Sequence, residues 1–362
     1  METEKVLVAM SGGVDSSVAA KLLTDAGFSC VGCTMKLYDN EDAGIPKANT
    51  CCSLDDVEDA RSVAYRLGMP YYVFNLKDKF AECVIDRFVS AYEHGITPNP
   101  CIDCNRYLKF DKLFERADIM GCRYIATGHY ARVERDGERY VLKKALDETK
   151  DQSYVLYDLT QETLARVKFP LGGLRKTEAR EIAAEAGLIN ARKHDSQDIC
   201  FVPDGDYAKV IETRTGKTPE PGPFLDLNGH VVGTHRGIIH YTVGQRRGLR
   251  MPSDGKLYVV KILPEQNAVV VGPNEALFTR ACLVSNMHWI SGEAPALPFR
   301  CSAKTRYRQP EQPCTVYPAG EGGVRLVFDE PLRAITPGQS AVLYDGDTVL
   351  GGGIIAREET AC

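Results

Sequence analysis

No stretch of the chain is apolar for long enough to span a bilayer, and no basic segment leading into an apolar run stands at its amino terminus. Both absences point away from a membrane partner and from secretion, and the expectation is a cytoplasmic protein. Internal repeats and low-complexity tails are also absent, which excludes a repeat array. Positive net charge is missing: 44 Lys and Arg against 49 Asp and Glu leave −5. A nucleic-acid partner would therefore be held by local basic patches and not by a global field. The 13 cysteines are scattered, without the dense framework of a small disulfide-stapled domain. In a reducing compartment most of them read as small apolar residues.

What is present is ordinary globular material. The 362 residues are 44% hydrophobic and 26% charged, enough for two or three domains with sizeable cores. The first half alternates "KVLVAM" (strand), "SSVAAKLLTDAG" (helix), "FSCVGCTM" (strand), "SLDDVEDARSVAYRLG" (helix, Ser53 as N-cap) and "YYVFNL" (strand). Two helices, "KFAECVIDRFVSAYEHG" and "NRYLKFDKLFERADIMG", and the strand "RYIATGH" come after them. This alternation predicts a parallel sheet covered by helices on both faces. An Asp136-Gly137 hairpin comes next, then two helical stretches. Beyond about residue 205 short alternating runs broken by Gly and Pro predict a β-rich remainder.

"AMSGGVDSS", Ala9 to Ser17, joins the first strand to the first helix. Gly12 and Gly13 permit a tight turn and close approach of a ligand. The helix start supplies N–H groups and the positive end of the dipole, an anion site. Its bland alternative is a capped strand–helix turn. The lysine of the G-x-x-x-x-G-K-[ST] loop is missing, which suits a site that grips pyrophosphate as a leaving group. Asp15 is placed to help hold Mg²⁺; its ordinary role would be to stabilise the helix start.

S-G-G-V-D-S in that context resembles the signature of the PP-loop ATP pyrophosphatases. "TPNPCIDCNRYLKF", "ATGHYAR", "KDQSYVLY", "DSQDICF", "HYTVGQRRGL", "KTRYRQ" and "TPGQSAV" occur in order from Thr97 to Val342. Together they resemble the bacterial tRNA-specific 2-thiouridylases over essentially the full chain. The resemblance implies an α/β fold: a parallel-sheet PP-loop ATP pyrophosphatase domain over residues 1–205, a small β-rich domain over 206–280 and a C-terminal, tRNA-contacting β-barrel over 281–362. It implies a sulfurtransferase that adenylates the C2 oxygen of the wobble uridine of tRNA (Lys, Glu and Gln type) with ATP and Mg²⁺, then exchanges that oxygen for sulfur. It further implies that Ala9, Met10, Ser11, Gly12, Gly13, Val14, Asp15 and Ser16 line the ATP phosphates, with Met35 and Gly128 flanking the adenosine. Cys104 matches the nucleophile and Cys200 the cysteine that carries the transferable sulfur. Asn99, Pro100 and Cys101 sit where the family meets the base, and His129, Lys150, Asp151, Gln152, Arg306, Tyr307 and Gln339 match tRNA contacts.

The chemistry fits the residues without the name. A ring carbonyl oxygen leaves poorly until adenylation turns it into AMP, and thiolates are natural carriers of the displacing sulfur. One position departs from the family's N-P-D-x-x-C: Cys101 replaces the aspartate. A C-x-x-C by itself suits a metal, a redox disulfide, an iron–sulfur cluster or a sulfur nucleophile. Two mechanisms stay open. Cys101, Cys104 and Cys200 are candidate ligands of a [4Fe-4S] cluster whose open iron presents a sulfide. Alternatively, Cys104 and Cys200 run a persulfide relay, with Cys101 a bystander. The sulfur donor would be a relay protein, a cysteine desulfurase or free sulfide. Pro98 and Pro100 are expected to keep the segment out of a helix and to expose the cysteines after them. The remaining cysteines, among them the Cys51-Cys52 pair, Cys83, Cys122, Cys282, Cys301, Cys314 and Cys362, have no companion at ligand spacing and read as structural.

Two basic clusters are candidate phosphate contacts, with a solvated charged surface as the plainer reading. These are Arg246, Arg247 and Arg250, and then Lys304, Arg306 and Arg308, whose alternation predicts three charges on one strand face. His129 is a candidate acid or base near the nucleotide, or a satisfied polar residue at a strand end. Two other functions compete. A PP-loop ligase acting on a small substrate would exchange pyrophosphate without tRNA and have no use for Cys200. A non-catalytic iron–sulfur or RNA-binding protein would have no use for an intact S-G-G-V-D-S.

Overall fold

A computed structural model of the chain describes residues 3–38, 54–193, 199–202, 204–251, 255–320 and 322–357. The proposed N-cap Ser53, the Cys51-Cys52 pair and Cys362 lie outside them. β1 (Lys5–Ala9) is apolar after its first residue, and Val6, Leu7 and Val8 are wholly buried. A strand covered on both faces reads as such a continuous run. It pairs in parallel with β2 (Ser29–Lys36) on one side and β4 (Tyr124–Ala126) on the other. β3 (Tyr71–Asn75) extends the sheet beyond β2. The hairpin β5 (Arg132–Asp136) and β6 (Arg139–Lys143) precedes β7 (Val167–Lys168), which completes a five-stranded sheet in the order β3-β2-β1-β4-β7. Helices α1 (Val14–Asp25) and α2 (Leu54–Arg66) come after β1 and β2 as the alternation predicts. The helix after β3 is continuous from Lys77 to Glu93, with a π segment at Ala81–Ile85.

The middle sheet has the order β10-β11-β8-β9, built from β8 (Gly222–Leu225), β9 (Val231–His235), β10 (Tyr258–Leu263) and β11 (Ala268–Gly272). Its apolar face does not form a separate core. Phe224, Val259 and Val269 join Phe80, Phe88 and Phe201 in one buried cluster, so the first two units are welded by a shared interior. The rest of the chain closes a barrel of β12 (Phe278–Trp289), β13 (Phe299–Lys304), β14 (Gln312–Ala319), β15 (Gly323–Arg333), β16 (Ser340–Asp345) and β17 (Thr348–Ile355). The strand order is β12-β15-β14-β13-β16-β17, and β17 returns to β12 at Ile355↔Val284. Closure leaves the barrel no open sheet edge. The β5–β6 hairpin docks on it through Lys143↔Thr348, a contact across more than half the chain.

Two local expectations change. Pro98 and Pro100 do not exclude a helix; Pro100 starts one, Pro100–Asp103, with Asn99 as its cap. Proline suits the first helical turn because its missing N–H would have no partner there anyway. The "KTRYR" segment leaves the strand after Lys304, so the predicted alternation of three charges on one face is lost.

Candidate active site

β1 delivers the chain into Met10–Gly13, and α1 begins at Val14. The loop is pinned at its start: Met10 N–H donates to the Cys33 carbonyl (2.7 Å) and Thr34 Oγ1 to the Met10 carbonyl (2.5 Å). Gly12 has φ +75°, and a Cβ there would stand 2.3 Å from the Asp56 carbonyl oxygen. Ser16 and Ser17 hydroxyls turn back to the Gly13 carbonyl (3.1 and 3.0 Å), and Ser11 N–H donates to Ser16 Oγ (3.1 Å). Gly13 caps α1 without a side chain, so the helix start keeps its positive end toward the loop. Gly128 packs against that start: a Cβ would lie 2.7 Å from the Ser16 nitrogen.

Residues from far along the chain complete the loop, and sequence reasoning missed them. Lys176 Nζ bridges both Asp15 oxygens at 2.7 and 2.8 Å, and Tyr130 hydroxyl donates to Oδ1 at 2.9 Å. The carboxylate expected to help hold Mg²⁺ is thus engaged by a lysine that is itself buried. Asn190 Nδ2 donates to the Gly12 and Gly13 carbonyls (3.0 and 3.2 Å) and to Ser17 Oγ (2.8 Å). Lys193 Nζ reaches Asp56 (2.6 Å), Asp59 (2.7 Å) and the Gly12 carbonyl (3.3 Å). Only the K-T-E start of a helix hinted at Lys176; nothing marked the other two.

Asn99 Oδ1 accepts the Cys101 N–H at 3.1 Å, and the helix runs from Pro100–Asp103 into a π segment, Cys104–Lys112. Cys101 is exposed, whereas Cys104 and Cys200 are half-buried against the same apolar cluster as Met35 and Tyr38. Tyr38 hydroxyl donates to the Cys200 carbonyl at 2.6 Å, tethering that segment to the end of β2. Among the described residues no group of three His, Cys, Asp or Glu side chains is gathered closely enough to hold a metal. The three-cysteine cluster set is therefore not assembled. Cys101 is exposed and lies near Tyr307, while the other two thiols pack against the core.

The barrel buttresses this segment. Gln339 Nε2 donates to the Thr97 and Pro98 carbonyls (2.9 and 3.3 Å), and Thr97 N–H to the Pro337 carbonyl (3.0 Å). Arg306 Nη2 is spent on the Val243 and Ala334 carbonyls (3.0 and 2.8 Å) and Thr336 Oγ1. Asp151 organises its own turn through Ala145 N–H, Ser153 N–H and Ser153 Oγ. Gln152 Oε1 accepts the Tyr130 N–H at 3.0 Å, and Lys150 is half-buried with its N–H on the Asp147 carbonyl. His129 is buried, bonded to Thr127 Oγ1 at 2.7 Å and flanked by Lys109; burial and that cation hold its imidazole well below its usual range. Tyr307 is exposed and stands edge-on to Tyr154. Burial of its hydroxyl end, with Asp151 and Cys101 nearby, raises its phenol. Arg246, Arg247, Arg250 and Arg308 are exposed.

Residues 4–204 match the family model described as tRNA methyl transferase HUP domain; 209–273 match its PRC-barrel domain and 279–355 an aminomethyltransferase beta-barrel domain. The tRNA-specific 2-thiouridylase MnmA of Symbiobacterium thermophilum is 49% identical over 98% of this chain and 92% of its own length. Its namesakes from Clostridioides difficile (47%, 98% of each chain) and Acetivibrio thermocellus (49%, 98% of this chain and 100% of theirs) are equally similar. The chain belongs to the tRNA-specific 2-thiouridylase family.

Within that family frame, two of the charged pairs around the site yield expected results. In this 2-thiouridylase, Lys176→Met removes the cation that bridges both Asp15 oxygens and leaves a carboxylate beside the phosphate site. ATP affinity is expected to fall by about tenfold, roughly 1.4 kcal/mol, measured by calorimetric titration with a non-hydrolysable analogue. Arg106, two residues after Cys104, pairs with Asp158 at 4.0 Å. Both Asp158 oxygens are buried without a hydrogen-bond partner. Burial pushes its carboxyl up to about 7, with Arg106 opposing. Because the folded state holds this proton more tightly than the unfolded chain, Asp158 costs stability progressively as pH rises from about 4 to 7. Asp158→Asn is expected to gain on the parent across that window, by on the order of 3 kcal/mol at its upper end. Denaturant midpoints at pH 5 and 8 read this directly; an identical difference at both would remove the assignment.

Proposed function

We propose that this chain is an ATP-dependent tRNA-uridine 2-sulfurtransferase. The observation that carries the reading is a lysine-free PP-loop one strand away from two thiols, Cys104 and Cys200, that share one apolar cluster with Met35. Methyl transfer, the wording of the family models, has no use for that loop or those thiols. Ala9 to Ser16 grip the ATP phosphates, with Met35 and Gly128 beside the adenosine. Mg²⁺ would accompany ATP and supply charge neutralisation on the phosphates, and Asp15, which Lys176 bridges, is the carboxylate that would help hold it. The uridine C2 oxygen attacks the α-phosphorus and pyrophosphate leaves.

Cys200, charged with sulfane sulfur by a persulfide donor, loses a proton, and its terminal sulfur attacks C2 of the adenylated ring. AMP departs. Cys104 thiolate then attacks Cys200 Sγ, breaks the S–S bond and leaves 2-thiouridine and a Cys104–Cys200 disulfide. An external thiol reduces it for the next turnover. No step is routed through an iron–sulfur cluster, because its ligand set is not assembled. Exposed Tyr307, Arg246, Arg247, Arg250 and Arg308 are the surface offered to tRNA, with Asn99, Pro100 and Cys101 at the base. His129, Lys150, Asp151, Gln152, Arg306 and Gln339 shape the site behind them.

Single-turnover thiolation of unmodified tRNA tests the relay. Cys104→Ala and Cys200→Ala are each expected to abolish thiolation while tRNA-dependent pyrophosphate release in the first turnover persists; full thiolation by either sinks the assignment. Cys101→Ala is expected to stay active in iron-free protein.

A further inference from the structure

Cys301 and Cys314 have no companion at ligand spacing in the sequence, yet they face one another in the barrel wall. β13 and β14 are antiparallel, and their register sets Cys301 directly opposite Cys314. Opposed residues point to the same face of a sheet. Here that face is the barrel interior, where Cys314 is fully buried and Cys301 half-buried against the cluster of Val316, Leu326 and Phe328. The two sulfurs are 3.7 Å apart.

Opposed positions of an antiparallel pair hold their Cα atoms about 4.5–5.5 Å apart, within the span of about 4.4–6.8 Å that a disulfide bridges. Bond formation therefore needs side-chain rotation and no change of register. The two thiols are linked through one hydrogen bond. It lowers the Cys314 thiol, with the neighbouring Arg300 guanidinium assisting, and together with burial it raises the Cys301 thiol, so the proton the two share rests on Cys301. Thiolate is the species that attacks a disulfide.

We propose that Cys301 and Cys314 are a redox site: a dithiol that a low-molecular-weight disulfide oxidises to a cross-strand disulfide. The half-exposed Cys301 passes its proton to the Cys314 sulfur as it attacks one sulfur of the oxidant R–S–S–R and expels R–S⁻. Cys314 gives that proton up to the departing thiolate, attacks Cys301 Sγ, breaks the mixed disulfide and expels the second R–S⁻. Two protein thiols lose two electrons and two protons, and one small disulfide becomes two thiols. In a reducing compartment the pair rests open, and it closes only under oxidising load. The bond would staple β13 to β14. β13 ends at Lys304, 3.5 Å from Asp151, and Tyr307, near Cys101, stands three residues later. Closure thus stiffens the strand that carries the barrel's approach to the catalytic helix. This inference does not depend on the thiolation chemistry.

The test is made on the full-length protein equilibrated across ratios of oxidised to reduced glutathione, alkylated, and mapped by mass spectrometry without reduction. The expected product joins the peptide Cys301–Lys304 to the one containing Cys314, lighter by two hydrogens and restored by dithiothreitol. The thermal midpoint of the wild type is expected to rise on oxidation, and that rise is absent in Cys301→Ser. Cys314→Ser is expected to stop at a glutathione adduct on Cys301; if it does not fold, the wild-type map decides alone. Three results would overturn the proposal: both cysteines alkylated at every ratio, a stable glutathione adduct on wild-type Cys301, or Cys314 bridged to Cys282.

Discussion

Gly12→Ala is expected to abolish tRNA-dependent release of AMP and pyrophosphate, by at least about a hundredfold, in a protein that still folds. The backbone at φ +75° already disfavours an L side chain by roughly 1–2 kcal/mol. The new Cβ would also stand 2.3 Å from the Asp56 carbonyl oxygen, and Asp56 cannot retreat easily. It belongs to α2 and its carboxylate is held by Lys193. The loop itself has to move, and a displacement of about 1 Å at a reacting centre costs on the order of a hundredfold. Pyrophosphate release and a circular-dichroism melt together read the result. Wild-type turnover in Gly12→Ala would remove this loop from the chemistry.

Gly338→Ala is expected to cut thiolation by about a hundredfold while ATP affinity changes by less than about twofold. Gly338 has φ +89°, and a Cβ there would lie 2.0 Å from Ile96 Cγ2. Ile96 leads directly into Thr97 and Pro98, whose carbonyls Gln339 holds. The disturbance therefore reaches Asn99 to Cys104 and bypasses the phosphate loop, which rests on Asn190, Lys193 and Lys176. Gln339→Ala removes two hydrogen bonds without a clash, and about a tenfold loss is expected. Equal losses of ATP binding and thiolation in Gly338→Ala would mean that the barrel supports the whole nucleotide domain and not this segment.

The parallel sheet was legible because its strands carry continuous apolar runs and its helices carry periodic ones. The turn from β1 into α1 was legible because a strand, two glycines and a helix start are contiguous. Pro100 misled because the same ring that forbids a helix interior favours the first turn, and the choice rests on whether Asn99 caps it. The Lys304–Arg308 alternation misled because no local signal marks where β13 stops.

By itself the sequence determined the strand–helix alternation of the parallel sheet and the glycine turn that joins β1 to α1. Those properties depend on residues a few positions apart. Tertiary structure alone decided that Lys176 and not a loop lysine faces Asp15, that Gln339 holds the Thr97 backbone, that Cys104 and Cys200 pack against one apolar cluster, and that Cys301 meets Cys314. Each of these is a contact between segments whose separation along the chain leaves no periodic trace. Burial and register, acting only once the sheet and the barrel have closed, bring them together.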